Sequence, residues 1–159
     1  MTTAVAWEVL ADVADPEIPV LSVLDLGIVR DVEESADGRS VAVTLTPTYS
    51  GCPATEVITG DVRAALSVAY DDVEIRIRLS PAWTTDWLSD RGRTALLEYG
   101  IAPPNGRALL PLAGDDRPAG CPHCGGTDVE QLAAFGSTPC KALWRCVACQ
   151  EPFDYFKVH

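Results

Sequence analysis

Hydrophobic and polar positions in the first hundred residues predict an alternation of short helices and strands. Helical spacing opens the chain, with apolar residues at Ala6, Val9, Leu10 and Val13. This first helix is expected to stop at Asp15-Pro16, because the residue before a proline disfavours the α region. Two alternating stretches, residues 28–32 and 41–46, then flank an Asp37-Gly38 turn and predict a β-hairpin.

The period changes at Pro53, where one apolar stripe continues to Ala69 and predicts a helix over residues 53–69. Proline suits the first turn of a helix, since the N–H that it lacks has no partner there. Alternation over residues 73–79 predicts a half-buried strand, and a final helix is expected to end near Gly100. The first domain, residues 1–101, is therefore predicted to be a small α-β-β-α-β-α two-layer sandwich.

Residues 102–120 have no hydrophobic period and are rich in proline and glycine, so they are predicted to be a linker. Leu109, Leu110 and Leu112 within it are candidates for docking on one of the domains. A β-rich module follows over residues 121–159, which gives the whole chain an α+β fold class. No apolar run approaches the ~18 residues of a membrane span, and the N-terminus lacks a basic signal region. A cytoplasmic location is therefore expected.

Charge is distributed unevenly along the chain. Residues 1–101 carry 17 acidic and 7 basic side chains, which is −10 of the formal net charge of −11. Such an acidic surface repels phosphate backbones, so nucleic acid is not an expected partner of the first domain. The tail also lacks a basic stripe, with Lys141, Arg145 and Lys157 as the cations of its ribbon.

The tail carries two Cys-x-x-Cys pairs separated by 21 residues, Cys121/Cys124 and Cys146/Cys149. This spacing is typical of structural zinc sites, in which four thiolates surround one ion at ~2.3 Å. About forty residues bury too little apolar surface to fold unaided, so a structural ion would supply the missing stability. Iron in a rubredoxin-like site, or part of an iron–sulfur cluster, would use the same four sulfurs and stays an alternative.

Two other side chains of the tail are less decisive. His123 lies between two ligands of the first pair and is expected to point away from the ion. Cys140 is six residues before Cys146, and the sequence leaves open whether it is a small buried residue or a functional thiol.

The remaining cysteine, Cys52, stands in "TPTYSGCPA", directly before the proline that begins the predicted second helix. Free N–H groups and the positive end of the helix dipole favour an anion at such a position. Gly51 has no side chain to cover the sulfur, which favours a reactive thiol that is open to a partner. Packing of a small buried cysteine under the helix is the alternative.

These motifs resemble known families. The segment "DPEIPVLSVLDLGIV", Asp15 to Val29, followed by a strand and "CPAT", resembles the domain of SufT-like and cytosolic iron–sulfur assembly factors. With the tail segments "CPHCG", "FGSTPCKALWRC" and "EPFDYFK", the whole chain resembles the PaaD (PaaJ) subunits of bacterial phenylacetyl-CoA epoxidase systems. The resemblance implies partnership with the reductase and oxygenase subunits of that system, and a role in delivering iron or a cluster.

The resemblance also implies a site. Cys52 corresponds to the family's exposed cysteine, Asp15, Pro16 and Glu17 to its "DPE" loop, and Asp25 to the turn after it. Glu17 and Asp25 are candidate oxygen ligands that would hold iron transiently beside the thiolate. A turn-forming Asp15 and a helix-stopping Pro16 would explain the loop without any chemistry.

Three functions compete on these grounds. The first is a maturation factor for iron or iron–sulfur clusters, and the second is a structural adaptor that holds oxygenase and reductase together through the ribbon. The third, a nucleic-acid-binding ribbon, is disfavoured by the charge pattern. Catalysis of the epoxidation itself is not expected, since the chain lacks a Glu-x-x-His pair and a dinucleotide glycine fingerprint. The sequence leaves open whether the chain forms a homo-oligomer.

Overall fold

The computed structural model of the chain describes residues 3–105 and 116–159. Residues 106–115, which include the three leucines of the predicted linker, lie outside the described part. The chain divides into two compact units, of which the first comprises residues 1–83 and 87–89 and the second residues 84–86 and 90–159.

The first unit is a three-stranded sheet with two helices. Its elements are α1 (Ala4–Ala11), β1 (Val29–Glu34), β2 (Ser40–Leu45), α2 (Ala54–Leu66) and β3 (Asp72–Ile77). The strand order is β1-β2-β3, in which β1 and β2 form the predicted antiparallel hairpin and β3 runs parallel to β2. Parallel neighbours need a crossover connection, and α2 supplies it.

Helix α2 confirms the predicted apolar stripe and ends a few residues earlier than predicted. Its buried residues recur at helical spacing, namely Ala54, Ile58, Val62 and Leu66. The helix ends at Leu66; the hydroxyl of the next residue, Ser67, donates to the carbonyl of Arg63 at 2.7 Å, and Val68 is 90% exposed. The core of the sheet is formed by Val41, Val43 and Leu45 of β2, which are buried.

A close backbone contact within the first unit depends on Gly27. The residue has φ of 70°, and a Cβ added there would overlap the carbonyl oxygen of Trp87. The neighbouring residue, Leu26, accepts a hydrogen bond of 2.8 Å from the indole N–H of Trp83. Positive φ and the contact with Trp87 therefore both require glycine at position 27.

The substitution Gly27→Ala is expected to destabilise the first unit by about 2–4 kcal/mol, because backbone has to move to admit the methyl group. Denaturant unfolding followed by far-ultraviolet circular dichroism measures this loss. Gly60→Ala is the matched control, since Gly60 is exposed within α2 and nothing lies within 4 Å of its added Cβ. That variant should gain roughly 0.5–1 kcal/mol from helix propensity. Equal unfolding midpoints for both variants would contradict the proposed contact.

The second unit contains a helix and a four-stranded sheet. Its elements are α3 (Asp90–Tyr99), β4 (Ile101–Ala102), β5 (Val129–Ala133), β6 (Lys141–Cys146) and β7 (Pro152–Phe156). The strand order is β4-β7-β6-β5, antiparallel except for the parallel pair of β4 and β7. The helix predicted to end near Gly100 is thus present, but it falls in the second unit, whereas the sequence placed it in the first domain.

The predicted α+β class and the order of the elements are confirmed. The ribbon core includes three aromatic side chains, and Trp144, Phe153 and Tyr155 are buried in one cluster with Cys146. The rings of Trp144 and Tyr155 meet edge to face with centroids 6.2 Å apart. No helix in residues 3–105 and 116–159 is long and apolar enough to cross a membrane.

Candidate metal centre and thiol site

Two loops with the same backbone path carry the clustered cysteines. We call them the first knuckle, residues 121–126, and the second knuckle, residues 146–151. In both loops the N–H of the fifth residue donates to the carbonyl of the first at 2.9 Å. That fifth residue, Gly125 or Gln150, has a positive φ of 78° or 65°. The repeated conformation makes the two knuckles equivalent halves of one site.

Four sulfur atoms converge between the knuckles. They lie within 4.8 Å of one another and belong to Cys121, Cys124, Cys146 and Cys149. The distance is 3.8 Å between the sulfurs of Cys121 and Cys149, and 3.5 Å between those of Cys124 and Cys146. A tetrahedral site with Zn–S bonds of ~2.3 Å places its sulfurs about 3.8 Å apart. The donor set therefore fits one zinc ion.

Backbone N–H groups and neighbouring sulfurs shift the pKa values of two of these thiols in opposite directions. Two N–H groups of the first knuckle each lie 3.4 Å from one of its sulfurs. The N–H of Cys149 contributes most to lowering the pKa of Cys146 to about 7. The N–H of Glu151 lowers the pKa of Cys149, but burial and the other sulfurs outweigh it and raise that pKa to about 12. A divalent cation bound between the four sulfurs would favour the thiolate form of all four cysteines together.

The other two candidates of the tail lie outside the four-sulfur group. The His123 ring lies beside Gly100, where an added Cβ would be 3.2 Å from its Cε1 atom. Cys140 is buried, and its sulfur lies 3.0 Å from the Thr138 hydroxyl. Neither residue belongs to the set of converging ligand atoms.

In the first unit, Asp15 closes the loop after α1. Its Oδ1 atom accepts the N–H groups of Glu17 at 2.9 Å and Ile18 at 2.7 Å, and its own N–H donates to Leu21. Asp15 is buried, whereas Glu17 is exposed. These contacts give Asp15 the turn-forming role that was one of its two interpretations.

Asp25 is also buried and ties two distant segments together. Its Oδ2 atom accepts the N–H and hydroxyl of Ser22 at 3.0 and 2.9 Å. Its Oδ1 atom accepts the hydroxyl of Ser89, 64 positions later, at 2.7 Å. Oδ2 thus closes the loop before β1, and Oδ1 ties that loop to the chain that follows β3.

A groove of about 480 Å³ lies between the Asp15 loop and α2. Asp15 and Pro16 line one side of it, and Asp61 and Ala64 line the other. Cys52 does not line this groove. It precedes α2, whereas Asp61 lies about 10 Å along the helix axis from the first residue of α2. In the described residues, Cys52 and the three acidic candidates form no second group of converging metal ligands.

Cys52 lies one residue before the Pro53 that caps α2. It is half-buried, its N–H donates to Tyr49 at 3.3 Å, and its carbonyl accepts the N–H of Thr55 at 3.0 Å. No side chain caps the N-terminus of α2, so the positive end of the helix dipole lies near the thiol without a capping group. A Cβ built on Gly51 would meet nothing within 4 Å. The loop is therefore open at the residue directly before Cys52.

Thr46, at the start of the same loop, is a polar group that the sequence did not single out. It is 1% exposed, and its hydroxyl has no hydrogen-bond partner among the described residues. Leaving a buried hydroxyl unpaired costs about 1–3 kcal/mol. The alternation of β2 carries no signal for this, since a threonine there is also typical of the solvent face of a strand.

Comparison with known proteins defines the class. A family model described as "Iron-sulfur cluster assembly protein" matches residues 3–77, and one described as "PaaD zinc beta ribbon domain" matches residues 107–157. The chain thus matches an iron–sulfur assembly domain followed by a zinc beta ribbon domain, and the ribbon match includes the four cysteines whose sulfurs converge.

The particular family follows from a relative that covers nearly the whole chain. This relative, a putative 1,2-phenylacetyl-CoA epoxidase subunit of Escherichia coli (strain K12), is 46% identical over 153 residues, which is 95% of this chain and 90% of that protein. The chain belongs to the family of that protein, the PaaD family, as the sequence resemblance indicated.

Two further similarities cover the first domain. An Fe-S protein maturation auxiliary factor of Porphyromonas gingivalis (strain ATCC BAA-308 / W83) is 40% identical over 94 residues, 58% of this chain and 85% of that protein. The crystal structure of a domain of unknown function, DUF59, from Bacillus anthracis has a TM-score of 0.55 at 28% identity. That match covers 58% of this chain and 89% of the other.

Proposed function

We propose that this protein is an accessory factor of a phenylacetyl-CoA epoxidase system and helps to deliver iron or an iron–sulfur cluster to a reductase or oxygenase subunit. The observation that carries the proposal is Cys52, a half-buried thiol beside an uncapped helix N-terminus, in a domain of the iron–sulfur assembly type. Similarity to a PaaD-type epoxidase component and to iron–sulfur maturation factors supports the same role.

Cys52 would act by ligand exchange. Its thiolate supplies one soft ligand for iron, and the positive end of the α2 dipole stabilises the negative charge of the complex. One protein ligand leaves the other coordination positions to the client and to small donors. Transfer is complete when client thiolates replace Cys52, and no electron has to move.

The four-sulfur site has a separate, structural task in this proposal. Four thiolates saturate a tetrahedral zinc ion and leave no open position for a substrate or a client ligand. Zinc would therefore remain bound while iron or a cluster passes through Cys52. Asp15 and Asp25 would support the delivery domain by fixing its loops and would not bind iron themselves.

An adaptor function is the second candidate, and exposed apolar residues of the ribbon favour it. Phe135 is 66% exposed, Leu132 47% and Val147 42%. Lys157 covers one face of the Phe135 ring, with its ammonium 4.2 Å from the centroid. These side chains could hold an oxygenase or reductase subunit without any transfer of metal.

Production of the reductase subunit with and without this protein distinguishes the two functions. A delivery factor should raise the iron and acid-labile sulfide bound per reductase chain, and with them its electron-transfer rate. An adaptor should leave the metal content unchanged and increase only the amount of assembled complex. If the same comparison with the oxygenase subunit also gives equal metal content with and without the protein, the delivery role is wrong.

A further inference from the structure

The outer edge of β3 is an open sheet edge with a self-complementary pattern. In the described residues β3 lies at the end of the order β1-β2-β3, and no strand pairs with its other side. It has six residues, without a proline, a lysine or a recorded bulge. Natural proteins usually block such an edge, because its unpaired N–H and C=O groups are a template for another strand.

The opposite edge of the sheet is blocked in the usual ways. Strand β1 has a register irregularity between Val29 and Asp31. Its sequence, VRDVEE, also places three carboxylates along this edge. Pairing of β1 with its own copy would bring acidic residues together. The two edges therefore differ, and β3 is the one that is suited to accept a strand.

Backbone directions fix which residues of β3 face outward. The N–H groups of Asp72 and Arg78 donate towards β2 at 3.3 and 2.9 Å. Neighbouring residues of a strand alternate in direction, so Val73, Ile75 and Ile77 present their N–H and C=O groups to the outer edge. The Val73 carbonyl already accepts Arg63 at 2.6 Å, and its second lone pair remains available.

We propose that β3 pairs antiparallel with β3 of a second copy of this chain, on a two-fold axis at Ile75. In this register Glu74 lies opposite Arg76 of the other copy, and Asp72 lies opposite Arg78. A shift of two residues in one direction places Glu74 opposite Glu74 of the other copy, and a shift in the other direction places Arg76 opposite Arg76 of the other copy. The central register is thus the one that avoids like charges, which destabilise a cross-strand pair.

The other face of the strand supports the same register. Val73, Ile75, Ile77 and Leu79 alternate on it, and exposure rises along the strand from 7% at Val73 to 47% at Ile77. Pairing about Ile75 lays the exposed Ile77 of each copy beside Val73 of the other. Each copy then covers apolar surface that the other leaves in water. The product is a continuous six-stranded sheet, β1-β2-β3-β3-β2-β1.

Sedimentation equilibrium of the full chain with zinc bound tests the proposal. The unmodified protein should show a monomer–dimer equilibrium. Each exposed Asp72–Arg78 contact is worth a factor of about two to five, and it occurs twice in the dimer. Arg78→Glu turns both contacts into repulsion and should raise the dimer dissociation constant about tenfold or more. The double variant Asp72→Arg/Arg78→Glu restores opposite charges and should recover the original value.

Arg117→Glu is the matched control, because it makes the same change of net charge at an exposed position of the second unit. It should leave the dissociation constant unchanged. A protein that remains monomeric at every concentration would overturn the proposal, and so would a dimer that is equally stable in all variants. If Arg78→Glu weakens the dimer and the double variant does not recover the original dissociation constant, this antiparallel register is excluded.

Discussion

Cys146→Ser is expected to release the ribbon metal and unfold β5, β6 and β7, while the first unit keeps its fold. Cys146 is fully buried and supplies one of the four converging sulfurs, 3.5 Å from that of Cys124. Zinc binding contributes about 10–16 kcal/mol to the folding of small thiolate domains, so loss of a ligand exceeds what this ribbon core can offset. Serine is a poor zinc ligand and cannot replace the thiolate.

The loss is measured as zinc per chain by atomic emission, together with the dispersion of amide and indole resonances in NMR spectra. The indole of Trp144 reports on the ribbon, because it is buried between β-strands that carry the knuckles. Cys140→Ser is the matched control, since Cys140 is buried in the same ribbon but lies outside the sulfur group. It should retain one zinc ion. A Cys146→Ser protein with native ribbon resonances and no metal would show that the ion is dispensable.

Sequence periodicity predicted the local elements well because each depends on its own residues. The stripe from Ala54 to Leu66 determines α2, and alternation determines the hairpin. Both patterns arise from burial of one face of a single element, which is visible without knowledge of its partners. The tail cysteines could be recognised from the sequence for the same reason, because each Cys-x-x-Cys pair forms a knuckle whose geometry depends on its own few residues.

Long-range pairing could not be predicted in this way. Strand β4 is two residues long, Ile101–Ala102, and exists only because it pairs with β7 more than fifty positions later. A segment of two residues has no detectable hydrophobic period, so the sequence did not predict β4. Without β4, the sequence also did not indicate that α3 belongs to the second unit. Pairing of strands distant in sequence depends on the assembled core, and local propensity does not encode it.

The roles of the acidic site candidates, Asp15 and Asp25, could likewise not be predicted from the sequence. A carboxylate beside a proline, such as Asp15, is compatible with a turn or with a metal ligand, and neighbouring residues in the sequence offer no means to choose. The structure occupies its Oδ1 atom with two backbone N–H groups. Asp25 is held by Ser89, a partner whose proximity arises from the folding of the intervening sheet. Burial of the Thr46 hydroxyl has the same origin.

Cys52→Ala is expected to abolish delivery of iron or cluster to the client while leaving this protein folded. Cys52 is half-buried in a loop before α2, so removal of its sulfur should cost about 1 kcal/mol or less. Its zinc content should stay the same, because the four ribbon sulfurs are elsewhere in the chain. Iron bound per client chain should fall to the level reached without the accessory protein, since the four ribbon thiolates would be held by zinc and Cys140 is buried.

Two controls separate this chemistry from packing. Cys140→Ala removes a buried thiol that the proposal does not use, and client loading should remain normal. In the native protein with zinc bound, iodoacetamide should modify the half-buried Cys52 faster than Cys140, and the modified protein should fail like the alanine variant. Substitution by alanine removes the side chain, whereas alkylation keeps it and blocks the sulfur. Failure in both cases therefore indicates that the free thiol is required. A Cys52→Ala protein that loads its client fully would leave Cys52 as a structural residue and direct the search to the ribbon.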